Sequence, residues 1–347
     1  MRRFTLGVVL SVALSICGRF SHAEDAADAK TIDGFRALCG TKAEAANSAN
    51  AMAVSAKDGW YFLAGELRHI SVGKFWGDEA AKVSRASKPE WADPTESIVD
   101  FKTQLEKAGI ELLLVPVPPK AVIYPEMLAD GLQASPRLDS QHAEFYKLLT
   151  EKGVKVLELS AEFGKERSAK ATQLLYCKTD THWSPFACEL TARMIKQRLV
   201  GRDWLAGAKP GDFKSQEMSR EINGDLANGG PKETLAAHVV SRADGKSAIE
   251  RTSPVLLLGD SHCLVFQAGE DMHGTGGGLA DHLAAELGIS IDLLGVRGSG
   301  ATSSRISLMQ RVRSEENYLA GKKLVIWCFT AREFTESQGW RKVPIVK

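Results

Sequence analysis

The stretch Val255-Leu256-Leu257-Leu258-Gly259-Asp260-Ser261-His262 passes from consecutive apolar residues into a Gly-Asp-Ser turn, and apolar residues resume at Leu264-Val265-Phe266. A short continuous apolar run bounded by turn residues reads as a strand buried on both faces, as in a parallel sheet covered by helices. A serine at the carboxyl end of such a strand, with a helix after it, projects its hydroxyl into the crevice where α/β folds bind ligands. There it lies near the N–H groups that open the helix. Those donors can stabilise an oxyanion, which makes Ser261 a candidate nucleophile. The alternative is a serine that only caps the helix.

The same alternation continues on either side. From 94 to 108 the apolar residues Ile98, Phe101 and Leu105 recur at helical spacing, and Gly109 stops that helix before the apolar run 110–117. A helix over 145–151 precedes a strand at 154–157, a helix over 279–287 precedes one at 289–294, and a helix over 305–319 feeds 324–329. With a further strand entering at Trp60-Tyr61-Phe62-Leu63, this predicts a three-layer α/β sandwich around a mainly parallel sheet of about five strands. The domain is expected over residues 57–347, preceded by an arm at 24–56 that opens loosely and then forms a helix. The polar stretch 201–251, rich in Gly, Lys and Asp, has no sustained periodicity and reads as an insertion or a long active-site surface.

Composition narrows the function classes. The 347 residues are 44% hydrophobic and 25% charged, an ordinary globular balance. Lys plus Arg number 44 against 43 Asp plus Glu, so no global field draws in nucleic acid or an anionic membrane. At the N-terminus Arg2 and Arg3 lead into the apolar run 4–16, and Ser21-His22-Ala23 offers small residues for cleavage. This reads as an export signal over 1–23 with the mature chain starting near Glu24, since a run of about 13 residues is short of a membrane span. Cys17 is a poor lipidation site because bulky Ile16 precedes it. Export makes disulfides chemically accessible, and Cys177 and Cys188 are expected to pair across the loop between them, with Cys39 as a competing partner for either. Cys263 and Cys328 sit in apolar surroundings and read as buried hydrophobes.

A second motif completes the chemistry. In Tyr176-Cys177-Lys178-Thr179-Asp180-Thr181-His182-Trp183-Ser184-Pro185 an acid and a histidine stand two apart in a polar stretch that Pro185 ends. A serine hydroxyl needs an adjacent base, and the base needs a carboxylate to fix its tautomer. His182 and Asp180 supply both; a structural Asx turn or two ligands of a metal are the alternatives, the second lacking further ligands nearby. No metal or organic cofactor is required. His262 reads as a pocket wall or helix-start residue. His69, His142, His238, His273 and His282 stand singly in polar surroundings and read as solvated.

The pairing of Gly259-Asp260-Ser261 with Asp180-Thr181-His182-Trp183 resembles the GDS and Asp-His blocks of SGNH hydrolases, in the reversed chain order of the alginate O-acetyltransferase family. Asp58-Gly59-Trp60-Tyr61-Phe62-Leu63, Val115-Pro116-Val117-Pro118-Pro119-Lys120 with Tyr124-Pro125-Glu126, and Gly224-Asp225-Leu226 are further matches. The resemblance implies a periplasmic enzyme that moves acetyl groups onto hydroxyls of an exported polysaccharide, fed by a membrane-bound acyltransferase partner. No segment matches the Asn block of SGNH hydrolases. Gly298-Ser299-Gly300 is the candidate donor loop for the oxyanion, with Arg305 as a charge at the rim. The rivals are a secreted esterase that uses the same residues with water as acceptor, and a non-catalytic polysaccharide-binding subunit.

Overall fold

The computed structural model describes residues 31–133, 137–169 and 173–346. The predicted export signal and Cys17 lie outside the described residues. No helix among them is long and apolar enough to cross a membrane.

The central sheet has five parallel strands, Glu111–Val117 (β3), Lys155–Val156 (β4), Val255–Gly259 (β7), Asp292–Gly295 (β8) and Leu324–Thr330 (β9), in the order β4-β3-β9-β7-β8. Every residue of β7 and β9 is buried, as their unbroken apolar sequences require. Because side chains alternate across a strand, the two faces collect different residues. Leu113, Val115, Leu257 and Ile326 meet the helices Ile32–Ser48 (α1), Pro185–Leu199 (α6) and Leu279–Leu287 (α7). Leu112, Leu114, Leu256, Val325 and Trp327 meet Thr95–Lys107 (α3), Ser140–Glu151 (α4) and Thr302–Ser314 (α8). The other helices of two turns or more are Ala64–Ser71 (α2) and Ser160–Ala169 (α5). This is the three-layer sandwich expected from the sequence.

Helix α1 buries Phe35, Cys39 and Ala43 in the first of these clusters, and Ala53–Ser55 (β1) pairs antiparallel with Tyr61–Leu63 (β2). Residues from 32 onward are thus continuous with the domain. The stretch 201–251, in which the sequence shows no sustained periodicity, holds regular structure. Phe213–Ile222 (β5) and Glu233–Arg242 (β6) form a ten-residue antiparallel hairpin. Its β6 strand buries Leu235, Ala237 and Val240 and packs on α6 and α7, while β5 is almost wholly exposed. A strand whose neighbours are mostly solvent gives too little apolar alternation to be read from sequence.

Three expectations fail, the first being that His69, His142 and His282 are solvated, for all three are buried. Cys177 and Cys188 are both fully buried and free, as are Cys39, Cys263 and Cys328. Cys177 donates instead to the carbonyl of Trp183 at 3.5 Å. Arg305 is fully buried and not at any rim. Its guanidinium lies over the rings of Trp327 and Trp340 and donates to the carbonyls of Ala301 and Ser97 and to Thr302 Oγ1. Burial pulls its pKa down to about 9. Arg305 therefore ties the start of α8 to α3, a packing role.

Candidate active site

Strand β7 ends at Gly259, and Asp260 turns the chain with its own side chain. Asp260 Oδ1 accepts from the His262 amide at 2.9 Å and Oδ2 accepts from the Thr330 amide at 2.8 Å, which ties the ends of β7 and β9 together. The capping role that could have fallen to Ser261 is thus taken by Asp260, and the Ser261 hydroxyl is left for other partners. A single 3-10 turn, Ser261–Cys263, comes next, and after another at Glu270–Met272 α7 begins at Leu279. The helix expected after the serine is therefore a single 3-10 turn.

The second element is a closed loop. Tyr176 and Trp183 bridge antiparallel, Ser184 caps α6 through the Ala187 amide, and Pro185 takes the first helical position, where a missing N–H costs nothing. Between these ends Asp180 and His182 face Ser261. His182 Nε2 lies 2.7 Å from Ser261 Oγ, and His182 Nδ1 lies 2.6 Å from Asp180 Oδ1. A carboxylate only accepts, so Nδ1 carries the proton and Nε2 is free to accept from the serine hydroxyl. Burial lowers the basicity of His182, but the hydrogen bond and charge of Asp180 outweigh it and leave the imidazole above its ordinary pKa. For Asp180 the burial penalty is likewise outweighed, by two imidazoles, which hold the carboxyl well below its usual range. Ser261 and His182 are 7% and 8% exposed, so only a narrow approach reaches them.

A family model for the SGNH hydrolase-like domain of the acetyltransferase AlgX matches residues 53–331. The chain belongs to this family. Among similar relatives, the probable alginate O-acetylase AlgJ of Pseudomonas syringae pv. tomato is 29% identical over 154 residues, 44% of this chain and 38% of that protein. The probable alginate O-acetylase AlgJ of Azotobacter vinelandii is 22% identical over 293 residues, 78% of this chain and 71% of that one. The first match thus spans under half the relative's length. The solved O-acetyltransferase domain of Pseudomonas putida AlgJ has a TM-score of 0.59 at 21% identity, covering 82% of this chain and 92% of that one. Pseudomonas aeruginosa AlgX has a TM-score of 0.60 at 18% identity, covering 85% and 67%. Both share the fold.

The blocks that carry the family resemblance converge on one object, the Asp180-His182 loop. From the Val115-to-Lys120 block, the buried Lys120 ammonium donates to the carbonyls of Tyr61, Lys178 and Asp180 at 2.6, 2.9 and 3.0 Å. From the Asp58-to-Leu63 block, the Tyr61 amide donates to Lys178, while the rings of Trp60 and Phe62 lie against the Lys120 ammonium. The Tyr124 hydroxyl accepts from the Leu175 amide. From the Gly224-Asp225 block, the Asp225 amide donates to Asp180 Oδ2, and its carboxylate accepts from the amide and hydroxyl of Thr181. Gly224 is required there, since a Cβ would fall 2.1 Å from the Thr179 carbonyl oxygen.

Of the other candidates, His262 is buried, with its ring centroid 4.9 Å from that of His182 and its carbonyl accepting from Trp183 Nε1, so it forms a wall of the site. Burial lowers its pKa, which favours the neutral ring. The Gly298-to-Gly300 loop runs beside the Asp260-Ser261 turn: a Cβ on Gly300 would meet Asp260, and Ser299 donates to the buried Glu333. Gly298 sits in the left-handed region with open space at its Cβ position.

Sequence reasoning misses three groups. Asp225 belongs to a block of the resemblance, yet nothing in the pattern gives it a role. Arg332, just past β9, donates to Thr330 Oγ1, and its charge is felt at His182, Asp260 and His262. His273, expected to be solvated, has its Nε2 2.8 Å from Asp180 Oδ2. A lone histidine before a glycine-rich turn carries no pattern that separates it from a surface residue. A cleft of about 390 Å³ lies beside the loop, between Asp58, Lys178, Thr179 and Lys232-Glu233, but neither Ser261 nor His182 lines it.

Proposed function

We propose that the protein is a periplasmic O-acetyltransferase that moves acetyl groups onto hydroxyls of an exported polysaccharide through an acetyl-serine at Ser261. The observation that carries this reading is the contact of Ser261 Oγ with His182 Nε2 at 2.7 Å, with Asp180 behind the ring. The family membership and the naming of relatives as alginate O-acetylases support acetyl transfer over other acyl chemistry.

In this scheme Ser261 Oγ attacks the acetyl carbonyl carbon while its proton passes to His182 Nε2. The bond to the donor's leaving group breaks, and that group departs with the proton from His182. A sugar hydroxyl then gives its proton to His182 and attacks the acetyl carbon, and Ser261 Oγ leaves and recovers the proton. Asp180 holds the ring in the required tautomer throughout and stabilises the imidazolium. Arg332 supplies positive charge toward the oxyanion, with the Gly298-to-Gly300 loop as a source of N–H donors. The acetyl is supplied through a membrane-bound acyltransferase partner, and the exposed β5 strand offers Lys214 and Gln216 to the polysaccharide. Water stands at about 55 M, whereas a bound hydroxyl held in line reaches effective molarities of roughly 10⁵ M or more, so transfer can outrun hydrolysis.

The test supplies the mature protein with an activated acetyl ester and a panel of uronic, neutral and amino-sugar oligomers, and reads O-acetylation by mass spectrometry. Acetylated oligomer is expected from the wild type and none from S261A, H182A or D180A, with double variants scarcely worse than single ones because the three act as a unit. Fast hydrolysis with no acetylated oligomer would replace this reading with an esterase. N-terminal sequencing after export is expected to begin near Glu24.

A further inference from the structure

We infer that His273 is a positioning residue of the acyl-transfer site, a second histidine that locks the Asp180 carboxylate and shares its negative charge with His182. The inference rests on the reading of Ser261, His182 and Asp180 as nucleophile, base and orienting acid.

The Asp180 carboxylate is divided evenly. Its Oδ1 accepts from the ring and the amide of His182 at 2.6 and 2.9 Å. Its Oδ2 accepts from the Asp225 amide at 2.9 Å and from His273 Nε2 at 2.8 Å. A carboxylate has about four lone-pair sites, so this one is saturated and cannot rotate without breaking a contact. His273 is the one of these donors whose attachment to the loop is purely through a side chain from a distant turn.

That turn is built to deliver the ring. Phe266 and His273 both sit in the left-handed region, at φ 60° and 64°, a conformation that non-glycine residues seldom adopt. It is held by hydrogen bonds from the Phe266 amide to Met272, between Gly269 and Gly274 in both directions, and from the Gly277 amide to Phe266. The Phe266 ring lies 5.6 Å from the His273 ring and supports it. A solvated surface histidine would need none of this. The side chain of His273 is 10% exposed.

The charges around it are few. The Asp180-His182 loop presents Asp180 and His182, with Asp225 beyond them. On its own turn Asp271 is paired with Arg297. From β5, Arg220 packs on Gly274 and donates to the Thr275 carbonyl. One carboxylate thus serves two imidazoles. When His182 takes the Ser261 proton, Asp180 stabilises the new cation best while its carboxylate is held in line with the ring, which is what the His273 hydrogen bond does from the other oxygen.

The experiment measures inactivation by phenylmethylsulfonyl fluoride and hydrolysis of 4-nitrophenyl acetate, at one pH, in the wild type, H273F, H273A, H273Q and S261A. H273F is expected to lose roughly 10–100-fold in kcat with KM unchanged, the scale seen when an outer hydrogen-bond partner is removed. H273Q keeps an N–H donor toward Asp180, so it should recover most of that loss. Wild-type kcat in a folded H273F, or no recovery of kcat in H273Q relative to H273F, overturns the inference; where H273F does not fold, H273A takes its place in both comparisons. Reaction of S261A at the wild-type rate would instead overturn the proposed function, whatever the His273 variants do.

Discussion

Lys120 Nζ lies 3.0 Å from the carbonyl oxygen of Asp180 and 2.9 Å from that of Lys178, so one buried ammonium fixes the main chain at both ends of the segment that carries the orienting acid. With the carbonyl of Tyr61 it has three acceptors for three donors. K120M fills the volume but takes this donor from the carbonyls of Tyr61 and Asp180, while that of Lys178 still accepts from the Tyr61 amide. Each unsatisfied buried acceptor costs about 1–3 kcal/mol, part of which water entry recovers. The expected outcome is a destabilisation of roughly 2–5 kcal/mol in denaturant unfolding, with acetyl-ester turnover lost even where the variant is fully folded. Wild-type turnover in folded K120M would show that the clamp is dispensable.

The pH dependence has its origin in the same loop. His182 works as a base only when neutral, and Asp180 holds its pKa above the ordinary value, so the acid limb of the rate profile should lie above that of a free imidazole. D180N removes the charge. The acid limb should then move to lower pH, and the plateau should fall by roughly 10³–10⁴, the penalty for a histidine in the wrong tautomer. On the alkaline side, burial brings the Lys120 ammonium down to about 8, so turnover should decline as that clamp deprotonates. A D180N profile with an unmoved acid limb would remove Asp180 from its role.

What the sequence discloses and what it hides have physical reasons. The strands β3, β7 and β9 are buried on both faces, so their apolar runs are unmistakable, and a nucleophile turn at the end of β7 is implied by them. Asp180 and His182 stand in one short loop, and their common partner Ser261 is legible from chemistry. Arg305 and His273 both defeat the sequence reading, for one reason. A charged or polar residue with no periodic context defaults to the surface, whereas Arg305 lies beneath two tryptophans and His273 reaches the centre of the site from a turn 93 residues away in sequence. Side-chain contacts of that range leave no trace in local pattern.

The thiols give a third prediction. Cys177 and Cys188 are fully buried and unpaired, and burial raises both thiols well above their ordinary value, so neither forms a thiolate near neutral pH. The native protein should not react with Ellman's reagent at these positions, and both should react once it is unfolded. Reductant should leave the melting temperature unchanged. A mobility shift between reduced and non-reduced samples, mapped to Cys177 and Cys188, would restore the disulfide.

The last prediction concerns Glu333, which sits just past β9 beside Arg332 and is 3% exposed. Its Oε2 accepts from Ser299 Oγ at 2.6 Å and from the Ala301 amide at 3.2 Å. Burial pushes its carboxyl up to about 7, and the Asp260 charge adds to the rise, against the Ser299 hydrogen bond and Arg332. An unfolded glutamate titrates near 4.3, so between about 4.3 and about 7 the folded chain binds the extra proton. The stability this confers is fully present below about 4.3 and is lost as pH rises through about 7, an amount on the order of 3 kcal/mol. E333Q keeps an oxygen to accept the same two hydrogen bonds and has no proton to lose. Urea unfolding at about pH 5 and about pH 8.5 should therefore show E333Q gaining on the wild type by roughly 2–3 kcal/mol at the higher pH, since other titrating groups are common to both chains. An equal stability gap at the two pH values would mean that Glu333 is ionised throughout, held so by Arg332, and that the loop beside the nucleophile turn is anchored by a charge.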